Sequence, residues 1–171
     1  MPSAAERRLG IYPMVAGAVL GLDLLTKAVV ERRLDHGRVV SVLGDWVQLR
    51  LMYNPVAAFG LHLGSQSRWI FLALAVAAVV VLTRFAWHTS AADRFRLLAL
   101  GLVAGGATGN LVDRVRSSQG VVDFLDVGLG ISRWPTFNVA DIGVSCGAIA
   151  LAISFWLEDA RRSRVMPSSS P

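Results

Sequence analysis

Four long apolar blocks divide this 171-residue chain, and they limit its fold more than any other feature. They run from about Ile11 to Val30, Trp69 to Trp87, Leu97 to Val112 and Val139 to Leu157. A helix that crosses a bilayer needs about 20 predominantly apolar residues. Three blocks reach that length, and Arg94 and Arg96 can snorkel to extend the third. Only 17% of the residues are charged, against about a quarter in soluble domains. The sequence therefore predicts an all-α membrane bundle of four transmembrane helices, at about 11–30, 69–87, 97–113 and 139–157. The first block also resembles a cleavable signal peptide, with Arg7 and Arg8 before it and Ala16-Gly17-Ala18 within it. A span fits better, because the apolar run continues and three further spans follow.

The segments between the blocks carry their own signals. In the extracytoplasmic loop expected at 31–68, Val47, Leu49 and Leu51 alternate with Gln48, Arg50 and Met52, the period of a half-exposed strand. Val39 to Leu43 precede them, Gly44-Asp45 lies between, and Asn54-Pro55 ends the run. This reads as a small β-hairpin at the membrane surface. A second loop is expected at about 114–138, and a disordered tail at 165–171 after a single membrane domain of residues 1–164. Glycines recur at four-residue spacing (Gly17/Gly21, Gly101/Gly105/Gly109, Gly143/Gly147), a pattern that lets helices approach closely in lipid. An even number of spans puts both termini on one side. The basic residues tight against the span ends, at 7–8, 94–96 and 161–164, place that side in the cytoplasm.

Several function classes drop out on composition. The net charge of +5 is carried almost wholly by Arg at span ends, which suits anionic lipid. No basic run with interleaved aromatics suggests nucleic acid. The single Cys146 excludes an internal disulfide or a Cys-based metal cluster. His36, His62 and His88 lack metal-ligand spacing.

What remains is a set of polar residues inside or beside the apolar blocks. Asp23 and Lys27, at i and i+4, share one helix face. They either neutralise each other or brace a polar site within the bundle. Asn110, Asp113 and Arg114 close the third block, where Arg114 is either a charge partner or a basic residue suited to a helix C-terminus. Asp141 opens the fourth block, where an acid costs up to about +2.5 to +3.5 kcal/mol at span centre. Asp123, in QGVVDFLDV, lies in a segment that meets the same membrane face, and Asp126 competes for its role. Two carboxylates brought together share a proton, which is the equipment of an aspartic protease. Gly143-Val144-Ser145-Cys146-Gly147 matches G-x-S-x-G, but it lies inside a span without the strand-to-helix turn or a nearby His. Cys146 is expected to be a small packed side chain.

Five blocks, DLLTK (23–27), YNPVAAFG (53–60), GGATGNLVDR (105–114), VVDF (121–124) and FNVAD (137–141), together and in this order resemble lipoprotein signal peptidase, the bacterial type II signal peptidase family. The resemblance covers nearly the whole chain. It implies an aspartyl endopeptidase with Asp123 and Asp141 as the catalytic dyad. Asp23, Lys27, Asn54, Asn110, Arg114, Asn138 and Ala140 match its other characteristic positions, in substrate binding or in support of the dyad. The implied substrate is a prolipoprotein whose cysteine carries diacylglycerol, cut just before that cysteine near the extracytoplasmic face of the bacterial plasma (inner) membrane. The hairpin and a short helix near Phe59 to Gly64 would form a cradle and lid. One departure is Asn54-Pro55-Val56-Ala57-Ala58-Phe59, where the family usually reads Asn-Thr-Gly-Ala-Ala-Phe, so the turn has a more restricted backbone. No metal and no cofactor is expected, and the partners are the lipidated substrate and membrane lipids. The chain is expected to act as a monomer. Two other classes compete: an ion or proton transporter relaying through Asp23, Lys27, Arg114 and Asp141, and a non-catalytic scaffold.

Overall fold

A computed structural model of the chain describes residues 4–55 and 66–165. Its helices are α1 (Ala4–Arg33), α2 (Ser67–His88), α3 (Arg94–Arg116) and α4 (Val139–Val165). Each contains a stretch of 21 to 25 residues long and apolar enough to cross a membrane. The four expected spans are therefore all present. The helices outrun the apolar blocks because the backbone hydrogen-bond ladder continues into charged ends such as Arg32 and Arg33. Large apolar side chains, including Leu25, Leu74, Val81 and Ile149, point outward from the bundle, as lipid-facing residues do.

The bundle is organised on α3, which packs against each of the other three helices. Its glycine ladder explains how. A Cβ on Gly101 or Gly105 would lie 2.9 or 2.6 Å from the Tyr12 or Ala16 carbonyl of α1, and one on Gly106 would overlap the Ala140 carbonyl of α4. Gly147 of α4 answers with the Ala99 carbonyl 2.8 Å from the Cβ position. Gly17 and Gly21 meet open space, so that pair of the expected spacing makes no helix contact. Cys146 is exposed rather than packed, because α4 turns Gly143 and Gly147 inward instead.

At one end of the bundle sits a four-stranded antiparallel sheet, in the order β1 (Val39–Leu43), β2 (Val47–Asn54), β3 (Val121–Leu129), β4 (Ser132–Arg133). The expected hairpin is β1 and β2. The segment expected to be a loop at 114–138 instead supplies β3 and β4. β3 pairs along the length of β2, from Val47 opposite Val127 to Asn54 opposite Val121. The Val-rich run after Gly120 suits a pleated, buried strand. Gly120 itself has φ of 104° and lies so close to the end of β2 that a Cβ would overlap the Asn54 carbonyl. Alternation sorts β2 as expected. Leu49, Leu51 and Tyr53 join Val122 and Phe124 against Val30 of α1 and Leu34 just beyond its end. Arg50, Met52 and Asn54 line a cavity of about 510 Å³ with Asp123, Asp126 and Trp134. The expected lid helix near 59–64 and the residues after Pro55 that depart from the family pattern lie outside the described residues. So does the expected tail, apart from Val165, which closes α4.

Candidate active site

The path from β3 to α4 brings two distant acids together. Residues 134–137 stay on the edge of β3: the Trp134 N–H donates to the Val127 carbonyl at 2.8 Å. Phe137 and Leu125 exchange N–H···O bonds at 3.0 and 2.8 Å. Asn138 therefore arrives beside Asp123, and α4 starts there. Its start is a capping box built from Asn138 and Asp141. The Asn138 Oδ1 accepts from the Asp141 N–H at 3.0 Å, and the Asp141 Oδ2 accepts from the Asn138 N–H at 3.1 Å. Each satisfies a helix-end donor that would otherwise be orphaned. Asp141 thus sits in the first turn of α4, where a helix end favours negative charge.

Asn138 also joins the two acids. Its Nδ2 donates to Asp123 Oδ1 at 2.7 Å, while Asn54 Nδ2 holds Asp123 Oδ2 at 3.0 Å. Asn110 Nδ2 donates to Asp141 Oδ1 at 2.8 Å. The Asn110 amide can face only this way, since its oxygen accepts from Lys27 Nζ at 3.1 Å and from Asn138 Nδ2 at 3.2 Å. All four carboxylate oxygens of Asp123 and Asp141 therefore accept from neutral amide N–H groups. Among the described residues, neither carboxylate has a Lys or Arg within ion-pair distance. Burial pushes the Asp123 carboxyl up to about 6, the Asp141 charge adds to that, and the Asn54 and Asn138 hydrogen bonds and Lys27 oppose it.

Asp23 and Lys27 do point into the bundle, and both are fully buried. Lys27 Nζ lies 2.7 Å from Asp23 Oδ2 and 2.7 Å from Asp113 Oδ2. Asp23 Oδ1 accepts from the Ala140 N–H at 2.9 Å, so a side chain of α1 helps cap α4. Gly109 makes room for it, because a Cβ there would overlap Asp23 Oδ2. Arg114 donates to the Asn110 carbonyl at 3.1 Å and lies 6.0 Å from the Phe71 ring centroid. Its charge acts on both Asp141 and Asp123, from the side that α2 covers.

Asp126, the competitor, is occupied elsewhere. Arg133 Nε lies 2.8 Å from its Oδ1 and Arg50 Nη2 3.3 Å from its Oδ2. Ser145 faces outward on α4, so the G-x-S-x-G match builds no nucleophile. The residue that sequence reasoning left without a role is Asp113. No local signal marked it, because Arg114 and Arg116 beside it make it read as an ordinary helix-end charge. Among the described residues, no group of three or more His, Cys, Asp or Glu side chains is placed to hold a metal ion.

The family model for Signal peptidase (SPase) II matches residues 15–157. The chain is 43% identical over 157 residues to a lipoprotein signal peptidase of Rhodococcus jostii, covering 89% of this chain and 75% of that protein. It is 35% identical over 162 residues to one of Treponema denticola, covering 91% and 94%. A solved structure of a bacterial membrane enzyme superposes with a TM-score of 0.77 at 26% identity, covering 92% of this chain and 93% of that one.

Proposed function

The chain belongs to the signal peptidase II family and is an aspartic peptidase, and from that premise we propose that Asp123 and Asp141 are the dyad with which it removes signal peptides from prolipoproteins. The observation that carries the assignment is the set of neutral amides around both acids. A carboxylate locked by a cation stays an anion, whereas one held by amides can gain and lose a proton within the cycle. The dyad holds one proton between its members, and burial favours the deeper Asp123 as its resting place. Ionised Asp141 takes a proton from a water, whose oxygen attacks the scissile carbonyl carbon while protonated Asp123 donates towards the carbonyl oxygen. Asp141 then gives that proton to the leaving nitrogen as the C–N bond breaks, and a hydroxyl of the collapsing diol returns a proton to Asp123, which restores the singly protonated dyad.

The substrate is a prolipoprotein whose cysteine carries diacylglycerol, cut just before that cysteine. Its peptide lies in the cavity beside Asp123 and its acyl chains remain in the leaflet. In this reading both termini lie at the cytoplasmic end, which the basic residues at the span ends favour, and the dyad lies near the extracytoplasmic face of the plasma membrane. Residues 1–164 act as one domain, and the chain works as a monomer. The ion-relay alternative finds little support. Between the Asp23–Lys27–Asp113 cluster and the Arg96–Glu158 pair (2.7 Å) at the other end, α3 turns Leu100, Gly101, Ala104 and Gly105 inward. A gel-mobility assay of a lipidated prolipoprotein tests the assignment. Purified wild type should release the signal peptide, while Asp123→Asn and Asp141→Asn should leave the precursor intact. Cleavage at near wild-type rate by either variant would sink the dyad.

A further inference from the structure

The three charges beneath the dyad repeat one arrangement twice. Asp23 accepts the N–H of Ala140, the residue just before Asp141, at 2.9 Å. Asp113 accepts the N–H of Val122, the residue just before Asp123, at 3.2 Å. Lys27 Nζ bridges these two carboxylates at 2.7 Å each. Its remaining contact is Asn110 Oδ1, the group that aims an amide at Asp141. One ammonium on α1 thus links the backbone at both dyad members, although they come from different elements, β3 and α4.

Stability alone accounts poorly for such a cluster. Taking three charges out of water costs more than their attraction returns, and apolar packing of the same volume often does as well. A fixed distance between two reacting carboxylates, however, cannot come from apolar contacts, which have no direction. We infer that the Lys27 bridge sets the separation of Asp123 and Asp141, and that Asp113 is a positioning residue of the reaction. The inference rests on the dyad assignment above and adds a role for Asp113.

Among the described residues, the charged groups around the dyad are few enough to read a pH profile. On α1 they are Asp23, Lys27 and Glu31, the last paired with Arg116 at 2.8 Å. On α3 they are Asp113, Arg114 and Arg116. From β2, Tyr53 donates to Glu31 at 3.2 Å. From α2, Arg68 is held on the Arg114 carbonyl at 2.8 Å. Asp126 is paired with Arg133 and Arg50. If activity needs the singly protonated dyad, the two limbs of the bell are the dyad's two macroscopic pKa values, and their spacing reports the coupling across the gap.

The experiment measures kcat and KM against pH for the full-length enzyme in detergent, with a lipidated prolipoprotein. Asp113→Glu keeps the charge and the acceptor but lengthens the tether, which moves β3 away from Lys27. It should lower kcat about 10- to 100-fold with little change in KM and narrow the bell without moving its centre. Asp113→Asn keeps an acceptor for Val122 but removes a negative charge. It should move both limbs to lower pH without narrowing the bell. A merely structural Asp113 would lower the amplitude in step with the folded fraction and leave both limbs in place, which overturns the inference. Should Asp113→Glu fail to fold, Asp23→Glu lengthens the other arm and is judged by the same narrowing. If wild type shows no peptidase activity, or Asp123→Asn retains it, the dyad assignment fails instead.

Discussion

Asp123 and Asp126 stand three residues apart on β3, both buried and both lining the same cavity. Asp123 meets two amide groups, Asn54 and Asn138. Asp126 meets two guanidinium groups, Arg133 and Arg50. Burial by itself therefore does not decide whether an acid is paired with a cation. A carboxylate between cations is neutralised and holds β2, β3 and β4 together. A carboxylate between amides keeps its hydrogen bonds but not its charge balance, so desolvation and the nearby Asp141 favour its protonated form. The bulge in β2 between Leu49 and Met52 falls opposite the interval between the two acids. It adds the local twist with which bulges re-aim side chains.

The largest test of this contrast is activity. Asp123→Asn should cut cleavage by about 10²- to 10⁴-fold, the range of a lost acid–base group, while Asp126→Asn stays within a few-fold of wild type. A precursor-cleavage time course on both variants checks this, and the reverse ranking would move the dyad to Asp126. The next effect is on stability. The folded-state pKa of Asp123 is raised, so the folded protein binds its proton more tightly than the unfolded chain does. The stabilisation is complete below the ordinary carboxylate range and is lost as pH rises to about 6. Thermal unfolding in detergent should therefore show wild type losing about 1–3 kcal/mol between pH 4 and pH 7 relative to Asp123→Asn, whose side chain cannot titrate. Parallel curves for the two proteins would contradict the raised value. A smaller loss, of about 1 kcal/mol and with cleavage retained, is expected for Asp126→Asn, since Arg133 and Arg50 can turn to solvent. The smallest effect belongs to Ser145→Ala and Cys146→Ser. Both face outward on α4, and steady-state rates should match wild type.

Much of the fold was legible in the sequence, because it follows from local terms. The apolar blocks marked the four spans, and the alternation from Val47 to Tyr53 marked β2. The loop holding Asp123 was misread for a physical reason. VVDFLDV is buried on both faces, so it lacks the alternation that reveals a half-exposed strand. The glycine spacings were half informative. Gly101/Gly105/Gly109 and Gly143/Gly147 pack against other helices, whereas Gly17/Gly21 do not, and spacing alone cannot say which face of a helix meets a neighbour.

The sequence by itself determined that this is a four-span membrane chain with acids where lipid should be, since length and polarity set the cost of burial residue by residue. Which acids can serve as the proposed dyad was decided by the tertiary structure. Asp123 and Asp126 sit in similar local sequence, and Asp113 looks like an ordinary helix-end charge. Their roles differ because Asn54, Asn138, Arg133 and Lys27 reach them from other elements. Ionisation depends on what lies within a few ångströms, and only the folded chain sets those distances.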